Sequence, residues 1–210
     1  MIKESQPEEK KQAMFLSTPA SIRHGKRDLV VLRYMAHRVR MNLYLLEPEA
    51  LRTLPIRYVL EERHNRVHRM VLFDPRRLAQ PETIAFVGFV SRRRTGVDPE
   101  VEAQLGTVDT QLVSELCGFS GFLGYSSLEL HAGHWYNLVL LEDFEKKSHL
   151  LNSRTHQYAA QQLAPRYYEW IRLHSGLLPG GLAGETFDLK MTKHYQFPGG
   201  FLGTEYRQAE

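Results

Sequence analysis

Phe122-Leu123-Gly124-Tyr125-Ser126-Ser127-Leu128-Glu129-Leu130, the turn Ala132-Gly133-His134 and Trp135-Tyr136-Asn137-Leu138-Val139-Leu140-Leu141 together predict an antiparallel hairpin. Two apolar, aromatic-rich runs of strand length flank a glycine that accepts the tight backbone. Upstream, Ile84–Val90 is apolar almost throughout, as in a strand covered on both faces. Between them Asp98-Pro99 supplies a cap and a first-turn proline, and Val101, Leu105, Val108, Leu112 and Leu116 fall on one helical stripe that Gly118 ends. Downstream the chain reads as helix from Asp143, broken near Asn152-Ser153. A longer helix is expected over Thr155–His174, kinked or restarted at Pro165 and stopped by Ser175-Gly176. A Gly- and Pro-rich loop, Leu178–Gly184, then leads to a last strand over Thr186–Phe197.

The order is β-α-β-β-α-β. This predicts an α+β, ferredoxin-like domain over residues 82–197, an antiparallel sheet with two helices on one face. Its other face needs a second layer. The preceding residues offer one, because Leu29–Ala36 and Arg38–Leu46 read as strands, the second with Val39, Met41, Leu43 and Leu45 alternating with polar positions. A short helix over Ala50–Thr53 follows, then a hairpin of Arg57–Glu62 and Val67–Phe73 around His64-Asn65. Residues 13–80 are therefore expected to be mainly β and to supply a second half-barrel. Residues 1–12 are read as a flexible N-terminus and 198–210 as a tail.

The chain of 210 residues has no apolar run near the ~18–20 that a membrane-spanning helix needs, and Met1–Lys11 lacks the apolar stretch of a secretory signal. A cytoplasmic location and no membrane partner are expected. Cys117, the single cysteine, excludes an internal disulfide and cysteine-rich metal sites. Charge is uneven: residues 1–95 carry 19 Lys and Arg against 10 Asp and Glu, and residues 96–210 carry 8 against 14. Either the basic half meets the acidic half at an interface, or arginines such as Arg38, Arg40 and Arg69 form a non-catalytic, anion-binding interaction surface. Nucleic acid is an unlikely partner, since few aromatics interleave with these arginines.

The run Gly118-Phe119-Ser120-Gly121-Phe122-Leu123-Gly124-Tyr125, the segment Trp135–Asp143 and the stretch Asn152-Ser153-Arg154-Thr155-His156 resemble the antibiotic-biosynthesis monooxygenase family of the dimeric α+β barrel superfamily. The resemblance covers about residues 82–197. It implies a homodimer and a small-molecule pocket between helices and sheet. On the third strand of that domain Trp135, Asn137, Val139 and Leu141 share one face, and on the long helix His156, Tyr167 and His174 share a stripe. The implied activity is that of a cofactor-independent monooxygenase, an oxidoreductase, or of a related cyclase or isomerase acting on an enolisable or aromatic substrate. His156 would be the base, Asn137 the oxyanion donor and Trp135 a pocket wall, with Tyr125, Tyr167, His174 and Arg172 contacting substrate. Each has a plainer role: Ser153 or Thr155 capping a helix at His156, Trp135 and Tyr125 packing, Arg172 and His174 at a carbonyl-rich helix end.

No cofactor is expected, with haem as the alternative. The superfamily's haem-degrading members use an axial helix His, which would fall near Ala160, and an Asn from the first strand, where this chain has Ile84–Phe89 and Ser91. No metal site is expected, because His131 and His134 flank a turn without a third ligand at a suitable spacing. A phosphate-cradling glycine loop, a nucleophile elbow and a glycosidase-type acid pair are also missing.

Overall fold

The computed structural model describes residues 19–184, 186–198 and 205–209, with side chains described for 25–184 and 186–198. The N-terminal segment 1–12 lies outside them. The strands are β1 Ile56–Glu62, β2 Arg66–Leu72, β3 Ile84–Arg93, β4 Phe122–His131, β5 His134–Leu141, β6 Tyr168–Leu178, β7 Asp188–Gln196 and β8 Glu205–Ala209. They form one antiparallel sheet in the order β1-β2-β4-β5-β3-β6-β7-β8. The chain is therefore α+β, and β8 places residues 205–209 of the expected tail on the edge of this sheet.

The hairpin of residues 122–141 stands as expected, with Gly133 at φ 76° in its turn. So does the helix before it, α3, Pro99–Gly118, whose first turn is capped by the Asp98 carboxylate accepting the Glu100 N–H at 2.9 Å. The hairpin β1–β2 also stands, with His64 and Asn65 both at left-handed φ. It does not build a second sheet. Through β2–β4 pairing it extends the same one, after the short helix α2, Pro75–Leu78.

The layer over the other face is a helix. Leu29–Ala36 and Arg38–Leu46, expected as strands of a second half-barrel, belong almost entirely to α1, Pro19–Tyr44, of 26 residues. The alternation at 39, 41, 43 and 45 is a local subset of a longer pattern: Leu29, Leu32, Met35, Ala36 and Val39 are buried, a spacing of three and four. At ~1.5 Å per residue such a helix is long enough to cross several strands. Its apolar stripe packs on Met70, Leu72, Phe86, Leu138 and Leu140. Leu32 sits so close over Gly88 that a Cβ there would lie 2.4 Å from its Cδ1.

The opposite face carries α3 with α4 (Lys147–Asn152), α5 (Arg154–Tyr158), a π-helical turn over Ala159–Leu163 and α6 (Ala164–Tyr167). Val113 and Leu116 of α3 pack there on Val71, Ala85, Phe122, Tyr125 and Leu141. The helix expected through His174 stops at Tyr167. Pro165 has no N–H for the preceding turn, and Tyr168–Leu178, with Tyr168, Trp170 and Ile171 among its side chains, fits a pleated strand better than a helix. This strand, not residues 186–197, is the fourth of the β-α-β-β-α-β series, and its place beside β3 gives the central order β6-β3-β5-β4. Consequently Arg172 and His174 are not at a helix end. They point from β6 toward α1.

Candidate functional site

Register builds the site. Because strand side chains alternate between faces, the pairing aligns three rows of residues across β5, β3, β6 and β7 on the α1 side: His134, Arg92, Trp170 and Gln196; Tyr136, Val90, Arg172 and His194; Leu138, Gly88, His174 and Thr192. The third row lies under Leu32. The first two lie beside the N-terminal part of α1, which supplies Arg27, Asp28 and Val31 as a wall. Between them opens a concavity of about 580 Å³, edged also by Leu130 and His131, within the usual range for small-molecule pockets.

Asp28 anchors that wall. It is buried, and its carboxylate accepts from Arg172 Nε at 2.6 Å, Arg172 Nη2 at 2.9 Å and His174 Nε2 at 3.0 Å. His174 Nδ1 in turn hydrogen-bonds Thr192 Oγ1 at 2.9 Å. Burial alone would raise the Asp28 carboxyl, but the hydrogen bonds from His174 and Arg172 and the Arg172 charge outweigh it and hold it below the usual carboxylate range. Burial, with Asp28 beside it, pushes the Tyr136 phenol up to about 12. The Arg172 guanidinium stacks on Trp170, its Cζ 4.0 Å from the ring centroid. Half-exposed Arg92 pairs with Glu169 at 3.2 Å. The cavity is therefore lined by three arginines and three histidines against one acid, and that acid is already neutralised.

Further along α1 a second relay has the same composition. Buried His68 contacts Glu62 through Nδ1 at 3.0 Å and Ser126 Oγ through Nε2 at 2.6 Å, and Arg38 Nε donates to Glu62 at 3.1 Å. Hydroxyl, imidazole and carboxylate stand in the order of a catalytic triad. Ser126 is 1% exposed and His68 0%, so no substrate reaches them, and the relay fastens α1 to the sheet. Burial keeps the His68 imidazole lowered, while Glu62, raised by burial, is brought below its usual range by Tyr34, His68 and Arg38. The shifts of Asp28, Glu62 and His68 have one sign in linkage. Depressed carboxylates stabilise the fold above their unfolded values and lose that as pH falls through the folded ones, and a depressed histidine likewise favours the fold until the unfolded state takes up its proton. Urea midpoints should therefore fall steadily from about pH 6.5 downward, and His68→Gln should flatten the upper part of that slope.

On the opposite face the residues singled out from sequence are spread out. Trp135, Asn137 and Tyr125 do face the helices. Tyr125 Oη lies 3.1 Å from Asn137 Oδ1 and 3.3 Å from Asp109 Oδ1 and donates to one at a time. Burial, then Asp109, raises the Tyr125 phenol. His156 completes the start of α5, its N–H donating to Ser153 Oγ at 3.1 Å, while its half-buried ring is lowered by burial and by Lys147. Tyr167 is buried at the end of α6, edge-on to Tyr168. None of His156, Asn137, Trp135, Tyr125 or Tyr167 lines the cavity. Arg172 does, and His174 lies behind its wall. At the positions expected to hold a haem, Ala160 is exposed and has no ligating atom, the His156 ring sits with Lys147, and β3 offers Ser91 but no amide. Among the described residues no three His, Cys, Asp or Glu converge as metal ligands.

No family model, no curated protein and no solved structure matches this chain. Its chemistry has to be argued from the two faces themselves. Several arginines of the basic half are spoken for: Arg38 by Glu62, Arg69 by Asp109 at 3.1 Å, Arg93 by Glu102, and Arg94 by the carbonyls of Pro165, Tyr168 and Phe197. Several of these pairs join the basic half to the acidic half within one chain. Among the described residues no helix is long and apolar enough to cross a membrane.

Sequence reading missed Asp28, Arg92, His134, Tyr136 and Trp170 as a group. A signal existed for Asp28. Once residues 19–44 are read as a helix, Asp28 falls on the stripe of Leu32, Met35 and Val39, where an acid demands a buried partner.

Proposed function

We propose that this protein binds a small organic anion carrying a planar ring, in the cavity between the N-terminal part of α1 and strands β5, β3, β6 and β7. The observation that carries this is the lining: Arg27, Arg92 and Arg172 with the Trp170 ring, and, among the described lining residues, a single acid, Asp28, consumed by Arg172 and His174. Guanidinium forks pair with carboxylates, and a flat indole with an arginine already stacked on one side favours a flat ligand on the other. Calorimetric titration with 2-naphthoate and its uncharged analogue 2-naphthamide tests the reading. Naphthoate should bind at least ~10-fold more tightly, about 1.4 kcal/mol, and Arg92→Ala should remove most of the difference. Equal affinity for acid and amide would dismiss it.

The central order β6-β3-β5-β4 with its two helical crossovers supports a ferredoxin-like relation for residues 82–178. Face-to-face pairing of two such sheets into a dimeric barrel needs the face that α1 covers, so a homodimer of this chain would form elsewhere. A second reading places cofactor-independent oxygenation on the helix side. The Tyr125–Asn137 contact favours it, since an amide among apolar strand residues is held for a reason. Oxygen uptake with 1,4-dihydroxynaphthalene that is unchanged by Asn137→Ala would remove it.

A further inference from the structure

Resting on the anion-binding reading, we propose that the same cavity catalyses proton transfer on an enolisable 2-oxo acid with an aromatic substituent, His134 acting as base and Arg92 holding the developing enolate. The two residues are directly opposed on β5 and β3, and Trp170 is opposite Arg92 on β6, so base, cation and ring platform occupy one row. The His134 ring centroid is 5.9 Å from that of Trp170, close enough for a ring lying against the indole to present its side-chain carbon to the imidazole. His134 is half-buried with no hydrogen bond to a carboxylate, unlike His68 and His174. Nor, among the described residues, does a hydroxyl occupy a ring nitrogen of His134, as Ser126 does for His68 and Thr192 for His174, so its lone pair is open to substrate.

The groups that face His134 are Arg92, His131 and Arg172, with Glu169 beyond Arg92. Burial first, then the positive neighbours, lower its affinity for a proton, with Glu169 acting the other way, so the ring is neutral at pH 7. Arg172 spends Nε and Nη2 on Asp28 and keeps Nη1 for the substrate carboxylate. In the step, the imidazole takes a proton from the carbon next to the ketone. The C–H pair becomes the new C=C bond and the carbonyl π pair moves to oxygen beside Arg92. The imidazolium then returns the proton to that oxygen, giving the enol, or to carbon, giving back the ketone. No oxidant, reductant or co-reactant is consumed.

Phenylpyruvate in D2O is the probe, with loss of its C3 protons followed by NMR and its binding followed by calorimetry. The intact protein should speed exchange at least ~100-fold over buffer, the lower end for a positioned base. His134→Gln should lose nearly all of that while binding phenylpyruvate within about 2-fold, and Arg92→Ala should lose both. His134→Asn serves as a second variant, with circular dichroism confirming the fold of each. Tight binding without faster exchange, or wild-type exchange in both His134 variants, overturns the catalytic proposal and leaves the binding reading in place. Absence of binding overturns both.

Discussion

Replacing Asp28 with alanine is expected to lower the unfolding free energy by ~3–5 kcal/mol, the usual consequence of removing one partner from a buried charge pair. The carboxylate is the sole anion among the described residues that touches Arg172 and His174. His174 is fully buried, so water does not take its place there. A urea denaturation curve at pH 7 reads the effect directly, and a loss below about 1 kcal/mol would show that α1 is not held there. The change also bears on function, because Asp28 is the post against which Arg172 is braced over Trp170. Naphthoate affinity should fall with it even at temperatures where the variant stays folded.

The second large effect lies under the middle of α1. Leu32 is fully buried, and Leu32→Ala should destabilise by ~2–5 kcal/mol through lost burial and the void left behind. Its partner across the interface is a position with no side chain. Gly88→Ala alone places a Cβ 2.4 Å from Leu32 Cδ1, an overpacking worth ~1–3 kcal/mol. Combined, the new methyl enters space that Leu32 has vacated. The double variant should therefore be more stable than the sum of the two losses predicts, by at least ~1 kcal/mol, a coupling a double-mutant cycle measures. Simple additivity would mean that helix and sheet are not in contact at this point.

What could be read from the chain beforehand was whatever depends on local signals. The hairpin around Gly133, the capped start of α3 at Asp98 and the His64-Asn65 turn each carry their cue within a few residues. α1 failed the same test because Val39, Met41, Leu43 and Leu45 satisfy a period of two as well as part of a helical stripe, and only the longer window from Leu29 separates them. Tyr168–Leu178 failed because a helix-compatible stretch precedes it and Pro165, read as a kink or restart of one long helix, marks the last turn before the strand. The candidate site was beyond reach for a different reason. His134, Arg92 and Trp170 are far apart in sequence and become neighbours only through the register of three strands. Asn137, half-buried on β5, does meet a polar partner, Tyr125. The imidazole expected opposite it is the residue that the fold uses to begin α5.

Covering the sheet with the chain's first helix also sets a timetable for synthesis. Asp28 and its partners Arg172 and His174 are separated by 144 and 146 positions, so at ~5–20 residues per second the helix leaves the ribosome roughly 7–30 s before the groups that secure it exist. Early in that interval Leu29, Leu32, Met35 and Val39 have no strand to lie on, and they gain β2, β3 and β5 as these emerge. A nascent chain arrested before Arg66 should accordingly be held by chaperones through this segment, and release should begin with emergence of β2 and β3.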